Sequence, residues 1–146
     1  LLDGGIGVKE VSLIVPNRIG VLAEVTEVLG NNGINITSIS AQGLEEHGII
    51  RLITSDEKSA VHALTKYIKG KGSGYELRLG DVIMVTIPDK PGELSKIIKR
   101  ISRLGINIDG VYQIRQYAGK VDMVIKPEKM EETVTELKKQ GVKVKV

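Results

Sequence analysis

VSLIVPNRIGVLAEVTEVLGNNGINITSIS, residues 11 to 40, aligns without a gap against IMVTIPDKPGELSKIIKRISRLGINIDGVY, residues 83 to 112, at a constant offset of 72. Self-similarity over such a period means one structural unit made twice, so function is to be sought at positions that recur in both copies and at the seam between them. Seven pairs are identical: Pro16/Pro88, Gly20/Gly92, Leu22/Leu94, Gly33/Gly105, Ile34/Ile106, Asn35/Asn107 and Ile36/Ile108. A core alone explains the Leu and Ile pairs. The glycines, the proline and the asparagine ask for a backbone or ligand reason.

Working outward from the repeat, the apolar run Val8 to Val15 stops at Pro16 and predicts a first strand. Val21, Leu22, Val25, Val28 and Leu29 then recur at helical spacing, predicting a helix over 18–30 that Asn31, Asn32 and Gly33 terminate. A strand over 34–41, a turn at 43–48 that holds His47, and a partner strand over 49–54 follow. Asp56 caps a helix with Val61, Leu64 and Ile68 on one face, and KGKGSG leads to a short closing strand over 75–79. The second copy runs in the same order: strand 81–87, helix 91–104, strand 106–115, a turn near Ala118 and Gly119, strand 120–125, helix 128–139 and strand 142–146. Each unit is thus β-α-β-β-α-β. With right-handed crossovers this gives an α+β fold: two tandem ferredoxin-like sandwiches, each an antiparallel four-stranded sheet with both helices on one face. The expected domains are 1–79 and 80–146, joined by a short connection at about Leu79 to Asp81. Units of about 70 residues are near the lower limit for an independent core, so each is expected to lean on its sister, which covers its remaining sheet face or edge.

The 146 residues include 41% hydrophobic and 27% charged, an ordinary globular composition with no apolar run long enough to span a bilayer. No membrane role is indicated. Cys is absent, which removes disulfides, thiolate metal sites and a cysteine nucleophile together and fits a reducing, cytoplasmic location. The opening LLDGGIG has neither the charged nor the long apolar region of a secretory signal. A net charge of +3 raises nucleic-acid binding as a question. The distribution argues against it: Lys and Arg alternate with acids, as in EKMEETVTELKKQ at 128–140, and Tyr67, Tyr75, Tyr112 and Tyr117 are the only aromatics. His47 and His62 have no Cys or second close His, so no metal site is expected.

The chemistry is concentrated in two strand-to-helix turns, PNRIGVL at 16–22 and PDKPGEL at 88–94. Glycine at a helix entry lets a small molecule approach unpaired N–H groups at the positive end of the helix dipole, where a carboxylate is at home. Asn17 and Asp89 put an acceptor for an ammonium beside it. Asn35 and Asn107 open the neighbouring strand, from which Thr37, Ser38, Ser40 and Gln42, or Asp109, Tyr112 and Gln113, could line a wall. Each of these residues also has a purely local use. Gly33 and Gly105 read as helix C-caps, Pro91 as the first residue of its helix, and Asn35 and Asn107 as partners of local backbone groups.

VPNRIGVL followed by NNGINI, and IPDKPGEL followed by RLGINI, resemble the ACT domain, the small amino-acid-binding regulatory module attached to enzymes such as phosphoglycerate dehydrogenase and aspartate kinase. The resemblance covers about residues 8 to 146, with no catalytic domain attached, as in free-standing tandem ACT proteins. It implies a non-catalytic protein without cofactor that binds a small amino acid or analogue between its repeats and controls an enzyme of amino-acid metabolism; a homodimer is expected because the remaining sheet edges are short and apolar. Carried over by position, it implicates Asn17, Ile19, Gly20, Val21 and Asn35 in one copy and Asp89, Pro91, Gly92, Glu93 and Asn107 in the other. Where serine-binding members have a His, this chain has Val15 and Ile87, which points from serine toward a more apolar ligand. Besides a purely structural interaction module, two other readings stay open. One is a small hydrolase of the acylphosphatase type using Arg18 and Asn35; its weakness is Lys90 in the second copy, which lacks the guanidinium fork. The other is an RNA-binding module, for which Tyr112 alone is a thin platform.

Overall fold

The computed structural model describes residues 8–146. The opening residues read above for a leader lie outside that range. Eleven elements follow in order: β1 (Val8–Pro16), α1 (Val21–Asn31), β2 (Ile36–Leu44), β3 (His47–Thr54), α2 (Glu57–Ile68), β4 (Glu76–Pro88), α3 (Glu93–Arg103), β5 (Ile108–Tyr117), β6 (Lys120–Pro127), α4 (Met130–Lys139) and β7 (Lys143–Lys145). They form two compact units, Lys9 to Gly80 and Asp81 to Val146, with Val8 grouping with the latter. Both are ferredoxin-like, and no helix among the described residues is long and apolar enough to cross a membrane.

In the first unit β3 lies between β1 and β2, with Leu13 opposite Ile50 and Ile39 opposite Leu52, all antiparallel. Period-two alternation sends Val11, Leu13 and Val15 of β1 to one face, where they meet Val21, Val25 and Leu29 of α1 and Ala60 and Leu64 of α2. The second unit repeats this arrangement. There β6 lies between β4 and β5, β7 flanks β4 on its other side, and Ile83, Val85 and Ile87 pack against Ile97, Ile101 and Leu137. Asp56 caps α2 as its sequence predicts, its carboxylate accepting from the Ser59 N–H. Gly33 and Gly105, at φ 69° and 73°, end α1 and α3 in the left-handed conformation, as their C-cap reading requires.

Many strand and helix ends differ from expectation by two or three residues, the second strands running over Ile36–Leu44 and Ile108–Tyr117, and three differences have a clear physical reason. The closing strand of the first copy and the opening strand of the second are one continuous strand, β4, and no turn lies at 79–81. A lone Gly80 with no proline or second turn residue can remain extended, and it is absent from the glycines with positive φ. Both first helices start late, at Val21 and Glu93, because Gly20 and Gly92 hold left-handed φ and cannot belong to a right-handed helix. Pro91 consequently precedes the N-cap and does not occupy the first helical position. His47 opens β3, leaving Glu45 and Glu46 as the hairpin turn.

On the sheet face away from the helices, the first unit buries a charge. Glu10 is wholly buried and its carboxylate accepts from the Arg51 guanidinium at 3.1 Å. The matching positions in the second unit are Val82 and Val124, also wholly buried. Removing one member of a buried ion pair leaves a desolvated charge behind, so Arg51→Met is expected to destabilise the chain by about 3 kcal/mol. Denaturant titration checks this, and Glu10→Val combined with Arg51→Val, which copies the sister unit, is expected to recover most of the loss.

Candidate functional site

Each strand-to-helix turn is tied to the hairpin beside it. The Asn17 N–H donates to the Glu46 carbonyl at 2.9 Å, and the Asp89 N–H donates to the Gly119 carbonyl at 2.9 Å. Side chains reinforce both ties. Asn17 Nδ2 donates to the Glu45 carbonyl at 2.9 Å, and Gln116 Nε2 donates to Asp89 Oδ2. The amide of Asn17 lies over Gly43, where a Cβ would sit 2.6 Å from Nδ2, so the glycine makes the room that the amide occupies. Asn17 Oδ1 keeps its acceptor capacity.

The helix entries are built alike. Gly20 at φ 95° and Gly92 at φ 87° are N-caps that offer no side chain to the first turn. Among the described residues, the N–H groups of Leu22 and Ala23, and of Leu94 and Ser95, therefore have no capping acceptor. A Cβ at Gly92 would meet nothing and one at Gly20 only Glu24 Oε2 at 3.8 Å, so backbone conformation and not space demands glycine.

A cleft of about 150 Å³ opens between the first turn and its hairpin, lined by Asn17, Arg18, Val21 and Leu22 on one side and Gln42 and Gly43 on the other. Of the expected residues it gathers Asn17 and Val21, while Ile19, Gly20 and Asn35 lie outside its lining. Ile19 is fully exposed. Asn35 sits beyond the helix, its N–H donating to Ser55 Oγ at 3.0 Å and its carbonyl accepting from the Ser55 N–H at 2.9 Å. In the second unit a cleft of about 500 Å³ gathers Pro88, Lys90 and Glu93 with the turn at Ala118–Lys120 and with Gly141 to Lys143. Asp89, Pro91, Gly92 and Asn107 are outside that lining. Asn107 donates to Asp109 at 3.1 Å, and its carbonyl accepts from Glu128 at 2.8 Å. Glu93 is paired with Lys96 at 2.8 Å.

Arg18, the residue behind the hydrolase reading, donates to the Tyr75 hydroxyl at 2.7 Å. Tyr75 meets Tyr67 edge to face, Lys71 lies 4.6 Å over the Tyr67 ring, and the Tyr67 hydroxyl donates to Glu24 at 2.8 Å. Burial and the Glu24 carboxylate push the Tyr67 phenol far above its ordinary range, so it stays a donor. Tyr112, the aromatic considered for stacking on bases, is buried.

Residues 6–143 match the ACT domain pair family. The chain belongs to that family. A solved Bacteroides thetaiotaomicron protein is 29% identical with a TM-score of 0.81, the match covering 94% of this chain and 91% of that one. The aspartate kinase regulatory subunit of Thermus thermophilus, in ligand-free form, is 20% identical with a TM-score of 0.67, covering 95% of each chain. Its counterpart from Thermus flavus is 19% identical with a TM-score of 0.64, covering 92% of this chain and 93% of that one. At such identities the likeness to these subunits is one of fold. No curated protein matches the chain.

Sequence reading missed Gly43 and Gln116, which hold Asn17 and Asp89 in place from the adjacent hairpin. The signal was faint: a glycine and a glutamine in a strand, about 26 residues downstream of the residues they serve. It also missed a polar cluster in the second ACT unit. Asp122 accepts from Thr86 at 2.6 Å, Arg115 at 2.7 Å and Tyr117 at 3.3 Å, and Arg115 lies 4.5 Å over the Tyr117 ring. Burial alone would raise the Asp122 carboxyl. The hydrogen bonds from Thr86 and Arg115, with the guanidinium charge, outweigh it and hold the group below the ordinary carboxylate range.

Two outcomes follow from this geometry. Gly92→Ala forces a Cβ into the left-handed region and is expected to cost about 1–2 kcal/mol, read as a lowered denaturation midpoint. Because Asp122 titrates lower when folded, its stabilisation is present above about pH 4 and disappears as pH falls through the depressed native value. Asp122→Asn is thus expected to be less stable than the parent at pH 7, with the gap closing towards pH 3 in parallel melts.

Proposed function

We propose that the chain is a non-catalytic regulatory protein that binds a small amino acid, or a close analogue, at its strand-to-helix turns. The observation that carries this reading is the duplicated turn: a left-handed glycine leaves first-turn N–H groups uncapped, and the same turn carries an acceptor side chain tied to the neighbouring hairpin. Those N–H groups suit a carboxylate at the positive end of the helix dipole, and Asn17 Oδ1 or Asp89 suits an ammonium. The aliphatic wall of Val15, Val21 and Leu22 favours an apolar side chain.

A first cleft of about 150 Å³ is smaller than an ordinary ligand pocket. In this reading a further ACT unit supplies the missing wall, and the residues implicated by family position, Ile19, Gly20 and Asn35 with Pro91, Gly92 and Asn107, meet the ligand there. The exposed side chains of Ile19, Leu22 and Leu44 support such a partner surface, and with it a homodimer. Binding favours the assembly in which both walls are present, by no more than the ligand's difference in affinity between states. A regulated enzyme of amino-acid metabolism, in the cytoplasm, is the target this reading implies.

Thermal-shift screening of the full chain against the twenty amino acids, followed by calorimetry, tests the proposal. At least one apolar amino acid is expected to raise the melting temperature by several degrees at about 100 times its Kd. Asn17→Ala and Gly43→Ala, the latter displacing the Asn17 amide, are expected to weaken binding at least about tenfold. No shift with any amino acid at millimolar concentration would overturn it.

A further inference from the structure

The second unit's turn opens onto a cleft whose charge the amino-acid reading does not explain. It lies between the start of α3, the β5–β6 turn and the start of β7, and its volume of about 500 Å³ is that of an ordinary small-molecule pocket. Its lining holds five cations, Lys90, Lys96, Arg100, Lys120 and Lys143, against one carboxylate, Glu93. That carboxylate is already paired with Lys96. Among the described residues, Lys90, Arg100, Lys120 and Lys143 have neither an ion pair nor a side-chain hydrogen bond. Four uncompensated cations around one concave surface focus a positive potential and repel one another until an anion enters.

The duplicated copy shows that this charge does not come with the fold. By the repeat, Lys90, Lys96 and Arg100 correspond to Arg18, Glu24 and Val28. The hairpin turn and the residue after it, Ala118-Gly119-Lys120, correspond to Glu45-Glu46-His47. Val142 and Val144 pack into the second core as Tyr75 and Leu77 do into the first, which sets Lys143 against Glu76. The corresponding positions in the first unit are therefore one cation and four carboxylates, two of which are answered by Lys71 on Glu24 and Arg78 on Glu76, with Tyr75 and Tyr67 interlocked over Arg18 and Glu24. Where the second unit has Val142, that tyrosine is missing and the space is open.

We propose that this cleft is a separate ligand site for a compact, multiply charged phosphate compound: an oligophosphate chain, free or carried by a nucleotide. One carboxylate would leave most of the positive charge unanswered. For a zwitterion's ammonium the lining offers one carboxylate, Glu93, already bridged to Lys96 and outnumbered by four free cations. Arg100 offers a planar fork to two phosphate oxygens, and the lysines act as point charges along the chain. No aromatic side chain is in the lining to stack on a base, so the phosphates and not a nucleobase are recognised. Ile87, Ile97 and Val142 form a floor.

Calorimetry of the full chain with inorganic tripolyphosphate and with ATP, at about 50 mM salt, tests this. Tripolyphosphate is expected to bind with micromolar Kd and to weaken as salt rises. Affinity for ATP within about threefold of tripolyphosphate supports recognition of the phosphate chain, free or carried by a nucleotide, whereas a tenfold preference for ATP would show recognition of the nucleoside and overturn it. The combined variant Arg100→Val, Lys120→His and Lys143→Glu copies residues that the first unit accommodates in the same fold, and is expected to lose at least about fiftyfold in affinity with an unchanged circular dichroism spectrum. Should it melt early, Lys120→Gln and Lys143→Gln, both exposed, are each expected to lose about fivefold, while Lys99→Gln and Lys58→Gln outside the cleft lose nothing. Absence of tripolyphosphate binding at about 1 mM, an equal loss in the outside variants, or tighter binding of a single-stranded oligonucleotide than of either phosphate would overturn the proposal. The amino-acid screen reads a different ligand, and its variants Asn17→Ala and Gly43→Ala lie in the first unit, so either proposal can fail alone.

Discussion

A glycine in the left-handed region sets the direction of the first helix in both units, and the rest of each unit is arranged around that corner. The strand must leave the sheet, turn, and send a helix back across the same face within four residues. At φ 95° and 87°, Gly20 and Gly92 make the corner without a Cβ to oppose it. Once made, it places Val21 and Val25, or Ile97 and Ile101, over the sheet, and hydrogen bonds from Asn17 and Asp89 to the neighbouring hairpin fix its height. The uncapped N–H groups are the residue of this solution: a helix begun by glycine has no side chain to cap itself with.

Much of the fold was legible because the two periods are clean. Val11, Leu13 and Val15 alternate as a strand does, and Val21, Val25 and Leu29 recur as a helix does, so the element order could be read in both copies. Boundaries were less legible where one residue has two uses. Gly80 could have ended a strand or run through it, and Pro91 could have started a helix or preceded its cap; only the competition with neighbouring backbone decides. The ligand-site residues were legible as a pattern but not as an arrangement. Asn17 and Val21 share a cleft, whereas Asn35, identical in both copies, serves the backbone of Ser55. The basic cleft was invisible in sequence, because Lys90, Arg100, Lys120 and Lys143 lie on four different segments and are diluted by acids in between.

The two units have kept what the fold requires and changed what it does not. Core positions exchange among aliphatic residues, as Leu64 and Leu137 remain wholly buried in both. Outside the helix-facing core the copies differ in kind: acids and tyrosines against bases around the cleft, Ile14 and Ile49 against Thr86 and Asp122, Glu10 and Arg51 against Val82 and Val124. The two ACT units thus share one fold while their surfaces differ in charge and polarity.

The Glu10–Arg51 pair has a consequence for how a chain with two similar halves reaches its native state. Repeated sequences are prone to misassembly in which a strand from one copy takes its counterpart's place. Were β1 to enter the second half in place of β4's later portion, Glu10 would be sealed beside Val124 with no guanidinium in reach, and the reverse exchange would strand Arg51 beside Val82. Each hybrid would part Glu10 from Arg51 and set it among aliphatic residues, a cost that the native pairing of the strands avoids.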